Sequence, residues 1–369
     1  MYSLKIKNAL LMRSRFLVFL FLLVAAAGVV LRLVCLEPNE TAKARMLLLR
    51  QQSLQMSDPK TVELKQVVQT SDEASASATA TACNNQKMLT SGSWNNETKH
   101  WHPFNCSFAP FDKTRLHKCL SNKQIGFYGD STLRQIAYEL IHLEEANVTL
   151  AQWATIGMKY LCGGGPIGND GSSLAMYWTP SAFYQTPASM KSIETDDLSF
   201  ISISVWDMGE YYRGVNPWFL AMKKLILEAA KKRRNKPLYV MNLHRLYPTK
   251  CKLKRNEKAL KRCKTCNELD AVFAFRDAIA SAVRCVLEDG YHNVYLVDTF
   301  GVTDTPFAEE NSDGVHFSSA VIQMQLQVLL SAICYESFQR DLHETLVSTS
   351  GTCPSHPNFE EGRQWTCEK

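Results

Sequence analysis

Between Gln124 and Cys334 short apolar runs rich in β-formers alternate with segments of helical periodicity, and this alternation restricts the fold more than any other feature. Gln124–Tyr128 reads as a buried strand, and Thr132–Glu145 places Leu133, Ile136, Ala137, Leu140 and Ile141 at helical spacing. Leu174–Trp178 and the near-continuous run Leu198–Val205 read as strands, as do Pro237–Asn242 and Asn293–Val297. Helices are expected at Pro217–Lys232, at Asp270–Glu288 with Gly290 closing it, and at Ser319–Cys334. Apolar strands separated by helices belong to a parallel sheet covered on both faces. The expected fold is α/β: a three-layer α/β/α domain around a central, mostly parallel sheet.

In such sheets ligands bind and chemistry takes place at the carboxyl ends of the strands. Gly129-Asp130-Ser131 falls at that place, after the first strand and at the start of its helix. Backbone N–H groups at a helix N-terminus can hold an oxyanion beside Ser131, although Asp and Ser are also the commonest helix starters. Asp313-Gly314-Val315-His316 lies just before the last long helix. A serine hydroxyl is a poor nucleophile until a base takes its proton, and that base is usually an imidazole held in one tautomer by a carboxylate. Asp313 can orient Nδ1–H of His316 while Nε2 faces Ser131. The pair of motifs points to nucleophilic catalysis, with Ser131 as nucleophile, His316 as base and Asp313 as its partner.

The N-terminus indicates export. Phe16–Leu31 is uninterrupted apolar sequence, and the patch after Arg32 continues to Leu36, enough to span a bilayer once Arg32 extends its head to the interface. Lys5, Lys7, Arg13 and Arg15 precede it and place the short N-terminus in the cytosol. A cleaved signal peptide, with Ala25 and Ala27 as the small residues, is the alternative, and both readings export the domain. From Glu37 the chain is polar, ending in the small-residue tract Ser71–Ala82, and aromatics and cysteines become dense from Cys83. The expected layout is a cytosolic tail (1–15), a signal-anchor transmembrane helix (16–36), a stem (37–82) and a lumenal domain (83–369). This is typical of Golgi enzymes; secretion or the cell surface is the alternative.

Twelve cysteines, eleven of them beyond Cys35, suit an oxidising compartment with several disulfides, and the odd number leaves one free or paired between chains. Asn39, Asn96, Asn105 and Asn147 begin N-glycosylation sequons. Cys251, Cys263 and Cys266 lack the second pair a zinc site needs, so no metal is expected. A net charge of +5 over 369 residues, with no nucleic-acid module, gives no reason to expect a nucleic-acid partner. Gly163–Gly168 satisfies G-x-G-x-x-G, but Asn169-Asp170-Gly171 follows where a dinucleotide site needs a helix, so a flexible active-site loop is the better reading. There is no G-x-S-x-G elbow and no D-x-D, which argues against an α/β-hydrolase proper and weakens a metal-dependent glycosyltransferase. The basic stretch Lys223–Lys264 reads by default as a solvated face, or else as a patch for acidic glycans.

With these pieces in order the chain resembles a known group. Gly92-Ser93-Trp94, Trp101-His102-Pro103 with Cys106, Cys119-Leu120, Gly126–Gln135, Met176–Pro180, Asp197–Tyr212 and Asp313–Ser318 are similar to the PC-esterase branch of the SGNH/GDSL hydrolase superfamily. That branch includes the trichome-birefringence-like polysaccharide O-acetyltransferases, the lumenal domain of sialic acid O-acetyltransferases, and the neurexophilin-and-PC-esterase proteins. The resemblance covers about residues 92–335. It implies an acyl-serine on Ser131 with His316 and Asp313 completing the triad, and it matches Arg134 to the family's Arg, which would anchor substrate or a loop.

Where the plant branch reads N-T-G-H-W-W, this chain has Asp207-Met208-Gly209-Glu210-Tyr211-Tyr212. Gly209 matches, but Asp207 replaces the oxyanion-binding Asn, and a carboxylate repels an oxyanion unless protonated or turned away. Gly157 and Gly163–Gly165 are candidates for the second donor. The resemblance implies O-acyl, in particular acetyl, transfer to glycan hydroxyls. Carbohydrate O-acetyl ester hydrolysis by the same triad is the alternative, and a non-catalytic glycan-binding protein is a third. No tightly bound cofactor is implied. The acyl donor is a co-substrate, either acetyl-CoA or a lumenal donor, and the former would need a multi-span partner to deliver it across the membrane.

Overall fold

The computed structural model describes residues 81–144, 165–167, 171–183, 192–203, 205–208, 213–247, 269–304, 315–348, 353–354 and 358–359. Contacts divide the chain into Met1–Ala76 and Ser77–Lys369, and every described residue falls in the second unit. The expected cytosolic tail, membrane span and nearly all of the stem lie outside the described residues, among which no helix is long and apolar enough to cross a membrane.

A short helix α1 (Gln86–Thr90), capped by the Asn85 side chain, leads into strands β1 (Gly92–Trp94) and β2 (Trp101–Pro103), an antiparallel pair. The Gly-Ser-Trp and Trp-His-Pro motifs thus form one ribbon. It is pinned to the domain by two indoles: Trp94 Nε1 donates to the Val302 carbonyl (3.0 Å) and Trp101 Nε1 to that of Leu89 (2.8 Å). Helix α2 (Lys113–Leu120) precedes β3 (Gln124–Gly129) and α3 (Ser131–Glu144). Next come β4 (Gly165–Ile167), β5 (Ser172–Trp178), β6 (Leu198–Ser202), α4 (Val205–Met208) and α5 (Val215–Arg233). The chain continues through β7 (Leu238–Met241), α6 (Leu269–Glu288), β8 (Val294–Val297), α7 (Phe300–Thr303), α8 (Ser319–Cys334) and α9 (Glu336–Ser348).

The main sheet has the order β4-β5-β3-β6-β7-β8 and is parallel except for the edge pair β4–β5. Alternate side chains of its central strands feed two separate cores. Tyr128, Ile201 and Val240 face α5 and α6, whereas Phe127, Phe200 and Tyr239 face α3, α8 and α9. Three layers follow directly from this two-sided burial. On the second face Phe127, Phe200, Tyr239 and Tyr295 stand in register on adjacent strands, their ring centroids 4.8, 5.2 and 5.3 Å apart in sequence. Such cross-strand aromatic pairs lock register, which matters because a one-residue slip would send each ring to the opposite core.

Three expectations need correcting. The run read as a strand to Val205 leaves the sheet after Ser202, and Val205 opens α4 instead. Gly165–Ile167, placed in a flexible glycine loop, is an antiparallel edge strand on β5. In the basic stretch, Arg233 is not solvated but 2% exposed. Its neighbours do behave as a solvated face: Lys224 and Lys232 lie within 3.9 and 3.6 Å of Glu228 and Glu194, pairs of little energetic weight. The rest of that stretch beyond Tyr247 lies outside the described residues.

Disulfides join Cys83 to Cys106, Cys119 to Cys334 and Cys285 to Cys353, in keeping with an oxidising compartment. The second ties α2 to the end of α8 across 215 residues. Cys35, Cys251, Cys263 and Cys266 lie outside the described residues, among which no group of His, Cys, Asp and Glu could hold a metal.

Candidate active site

At the carboxyl end of β3 the chain must turn sharply into α3. Gly129 permits it: a Cβ there would run into the Ser202 carbonyl on β6 and the Leu133 side chain. Asp130, 1% exposed, then caps the helix, its Oδ1 accepting from the Thr132 N–H (2.9 Å) and from the Thr132 hydroxyl (2.6 Å). Capping by Asp130 leaves the next side chain available for other work. Ser131, half-buried in the first helical turn, has its Oγ 2.7 Å from Nε2 of His316.

His316 is held by its neighbours. Val315 and Phe317 are buried on either side of it. Nε2 of His244 lies 3.2 Å from the Val315 carbonyl, and since a carbonyl only accepts, this nitrogen carries the proton. The Phe317 ring packs edge-on against His244 at 5.3 Å and against Tyr247 at 6.1 Å. A further tie joins the two helices that carry Ser131 and follow His316. The buried Glu139 on α3 accepts from the Ser319 hydroxyl (2.6 Å) and from Gln323 (3.4 Å) on α8. Nothing in the sequence marked Glu139 or His244, because each partner lies far along the chain. The structure therefore brings Ser131 and His316 together within hydrogen-bond reach. Asp313, Gly209 and Gly157 lie outside the described residues.

Asp207 is turned to structural use. Its Oδ2 accepts from the Ala182 N–H (2.9 Å) and from the indole N–H of Trp218 (2.7 Å), tying α4 to the segment after β5 and to α5. The side chain is 1% exposed, and its Oδ1 is buried with no hydrogen-bond partner among the described residues. Burial, above all, pushes its pKa up to about 6; the Asp130 charge adds to this, while hydrogen bonds from Ser181, Ala182 and Trp218 oppose it. The folded state thus favours the protonated form. Stability is fullest below the ordinary aspartate range and falls as pH rises toward 6. The loss is roughly 3 kcal/mol once the carboxyl is ionised in both states. Asp207→Asn should flatten this slope, so that denaturant midpoints measured near pH 4 and near pH 7 differ less in the variant than in the parent. Equal slopes would mean that this carboxyl ionises as freely folded as unfolded.

Arg134 sits one turn beyond Ser131 on α3, with its guanidinium carbon 5.6 Å from the Trp178 ring centroid and 6.0 Å from that of Tyr138. Its Nε is buried with no hydrogen-bond partner among the described residues. Of the glycosylation candidates, Asn96 and Asn105 are exposed, and Asn39 and Asn147 lie outside the described residues.

A parallel α/β sheet with a Gly-Asp-Ser turn at a strand end, and a histidine delivered to that serine just before a late helix, is the arrangement the SGNH resemblance implies. Residues 101–160 match the family model described as NXPE family member 4-like, C-terminal domain, a stretch that includes Trp101-His102-Pro103 and Gly129-Asp130-Ser131. The chain is similar to PC-esterase proteins of the SGNH superfamily. It also shows likeness to solved structures. One is a putative GDSL-like lipase from Parabacteroides merdae: 13% identity over 59% of this chain and 97% of that one, TM-score 0.34. Another is the lipase/acylhydrolase from Enterococcus faecalis: 12% identity over 57% and 95%, TM-score 0.32. A third is a Clostridium thermocellum family 3 carbohydrate esterase: 15% identity over 57% and 98%, TM-score 0.31.

Proposed function

We propose that this chain is a serine-dependent O-acyltransferase that moves an acyl group, acetyl by its resemblance, onto glycan hydroxyls through an acyl-serine. The observation that carries the reading is the 2.7 Å approach of His316 Nε2 to Ser131 Oγ at a helix N-terminus on the carboxyl edge of the sheet. Nε2 takes the hydroxyl proton as Oγ attacks the donor's carbonyl carbon. The backbone N–H of Ser131, at the start of α3, stabilises the oxyanion. The donor's leaving group departs with the proton from His316. An acceptor hydroxyl then gives its proton to Nε2 and attacks the acyl carbonyl, which restores Ser131. Asp313, three residues before His316, orients Nδ1–H. The domain acts in the lumen of the Golgi or secretory pathway, held by residues 16–36. Its donor is acetyl-CoA supplied through a multi-span partner, or an acyl donor already in the lumen.

The test is intact mass of the purified full-length chain after brief exposure to 4-nitrophenyl acetate, with Ser131→Ala alongside and free acetate and acetylated glycan followed together. One acetyl adduct, absent from Ser131→Ala and chased onto added glycan, is the expected result. Release to water alone would make the protein an esterase, and no adduct on the folded parent would remove the acyl-serine.

A further inference from the structure

Two large aromatic side chains stand exposed at the carboxyl end of β3, the strand that leads into Ser131. Trp178 ends β5 and is 41% exposed; Trp206 lies in α4, just after β6, and is 37% exposed. Their strands flank β3, and at its last residue Gly129 is in register with Trp178 on one side and Ser202 on the other. The two rings nevertheless meet, edge to face at 82° with centroids 6.2 Å apart, so they reach toward each other across the end of β3, the strand that leads into Ser131. The main chain fixes this geometry, because the Thr179 N–H donates to the Gly129 carbonyl at 2.9 Å, directly after Trp178. Arg134 stiffens the arrangement from the α3 side, its guanidinium 5.6 Å from the Trp178 ring. Neither indole is needed for the core, where Trp218 is fully buried instead.

An exposed right-angled pair of indoles costs solvation unless something covers it, and pockets that bind ligands characteristically combine aromatic walls with a few convergent polar groups. We infer that Trp178 and Trp206 form the acceptor subsite, taking the C–H face of a pyranose ring and presenting one of its hydroxyls to the acyl group on Ser131. The ligand class is a hexopyranoside with an unobstructed apolar face, such as a β-galactoside or β-glucoside. Such a ring has a flat patch of C–H groups to lay on an indole, while its hydroxyl rim points outward to polar groups. The Arg134 guanidinium, beside Trp178, is placed to donate to that rim. This assignment rests on the acyltransferase reading for its role, but sugar binding itself is measurable without turnover.

The experiment uses the full-length protein carrying Ser131→Ala, titrated with methyl β-D-galactopyranoside and methyl β-D-glucopyranoside. Tryptophan emission and saturation transfer to the sugar protons are read together. Saturable binding, with the strongest transfer to protons on one ring face, is expected. Added Trp178→Ala or Trp206→Ala should weaken it about tenfold, Trp178→Tyr should recover part of it, and Phe104→Ala, which removes another exposed ring, should match the parent. No transfer to either glycoside, or tryptophan variants that bind as well as Phe104→Ala, would overturn the subsite. A protein that binds sugar through these rings yet never acetylates Ser131 would keep the subsite and lose the acyltransferase.

Discussion

Replacing His316 with alanine is expected to slow acetylation of Ser131 by roughly three orders of magnitude or more while leaving the melting temperature close to that of the parent. The size follows from the chemistry. Without a base the Ser131 hydroxyl must lose its proton to water, and the remaining acceleration comes only from oxyanion donors and binding. Neighbouring groups are poorly placed to substitute. Nε2 of His244 is directed to the Val315 carbonyl at 3.2 Å, Glu139 is engaged by Ser319 at 2.6 Å, and Asp130 Oδ1 is committed to Thr132. The fold should persist because His316 is only half-buried, its segment being held by Val315 and Phe317. Single-turnover acetylation by 4-nitrophenyl acetate, followed by mass, measures the effect directly. A variant that acetylates within about tenfold of the parent would show that His316 is not the base. His244→Ala serves as the contrast: it removes a support of the loop rather than a proton acceptor, so it should lower stability more and the chemical step less.

The frame of the fold was legible because its strands are short, apolar and separated by helices of clear period. Apolar burial on both faces explains why QIGFY and the run from Leu198 declare themselves, and in LAMYW the buried Leu174 and Met176 alternate with less buried residues; the Gly-Asp-Ser and Asp-Gly-Val-His motifs could then be placed at element ends. What escaped depends on partners far away in sequence. Val205 continues a β-branched run, yet Asp207 two residues on binds Ala182 and Trp218, 25 and 11 residues away, and pulls the chain into α4. Helix α9 has a charged sequence in which Phe338 and Leu342 are buried, too thin a stripe to read without the packing. Trp178 and Trp206 each stood within a recognised motif, but their meeting across β3 is a property of strand order. Arg233 was hidden in the run Lys231–Arg234, where composition says solvent and the structure says core.

That arginine supports the largest expected loss of stability. At the end of α5 its Nη1 donates to the carbonyls of Ile193 (2.7 Å) and Asp196 (3.2 Å) and to the Ser199 hydroxyl (2.5 Å). Nη2 donates to the Asp197 carbonyl and Nε to that of Pro237, both at 2.9 Å. One guanidinium thus fastens the entry to β6 and the approach to β7. Burial, its largest influence, lowers its pKa to about 10, which still leaves it charged at neutral pH. The counter-charge is Asp196, itself buried, which accepts from the Tyr128 hydroxyl at 2.5 Å and whose pKa is raised chiefly by burial. Tyr128 lies two residues before Asp130, so this network braces the strand that leads into Ser131. Arg233→Met keeps much of the volume but strands the Asp196 charge and the carbonyls. The expected cost is about 3–5 kcal/mol, a drop in melting temperature on the order of 10 °C. Arg233→Lys should recover only part of this, because one ammonium cannot span the same spread of acceptors. Adding Asp196→Asn to Arg233→Met should return some stability by removing the stranded charge, a coupling that a double-mutant cycle isolates. If Arg233→Met melts within about 3 °C of the parent, the carbonyls are satisfied without it and the network does not hold β6 in place.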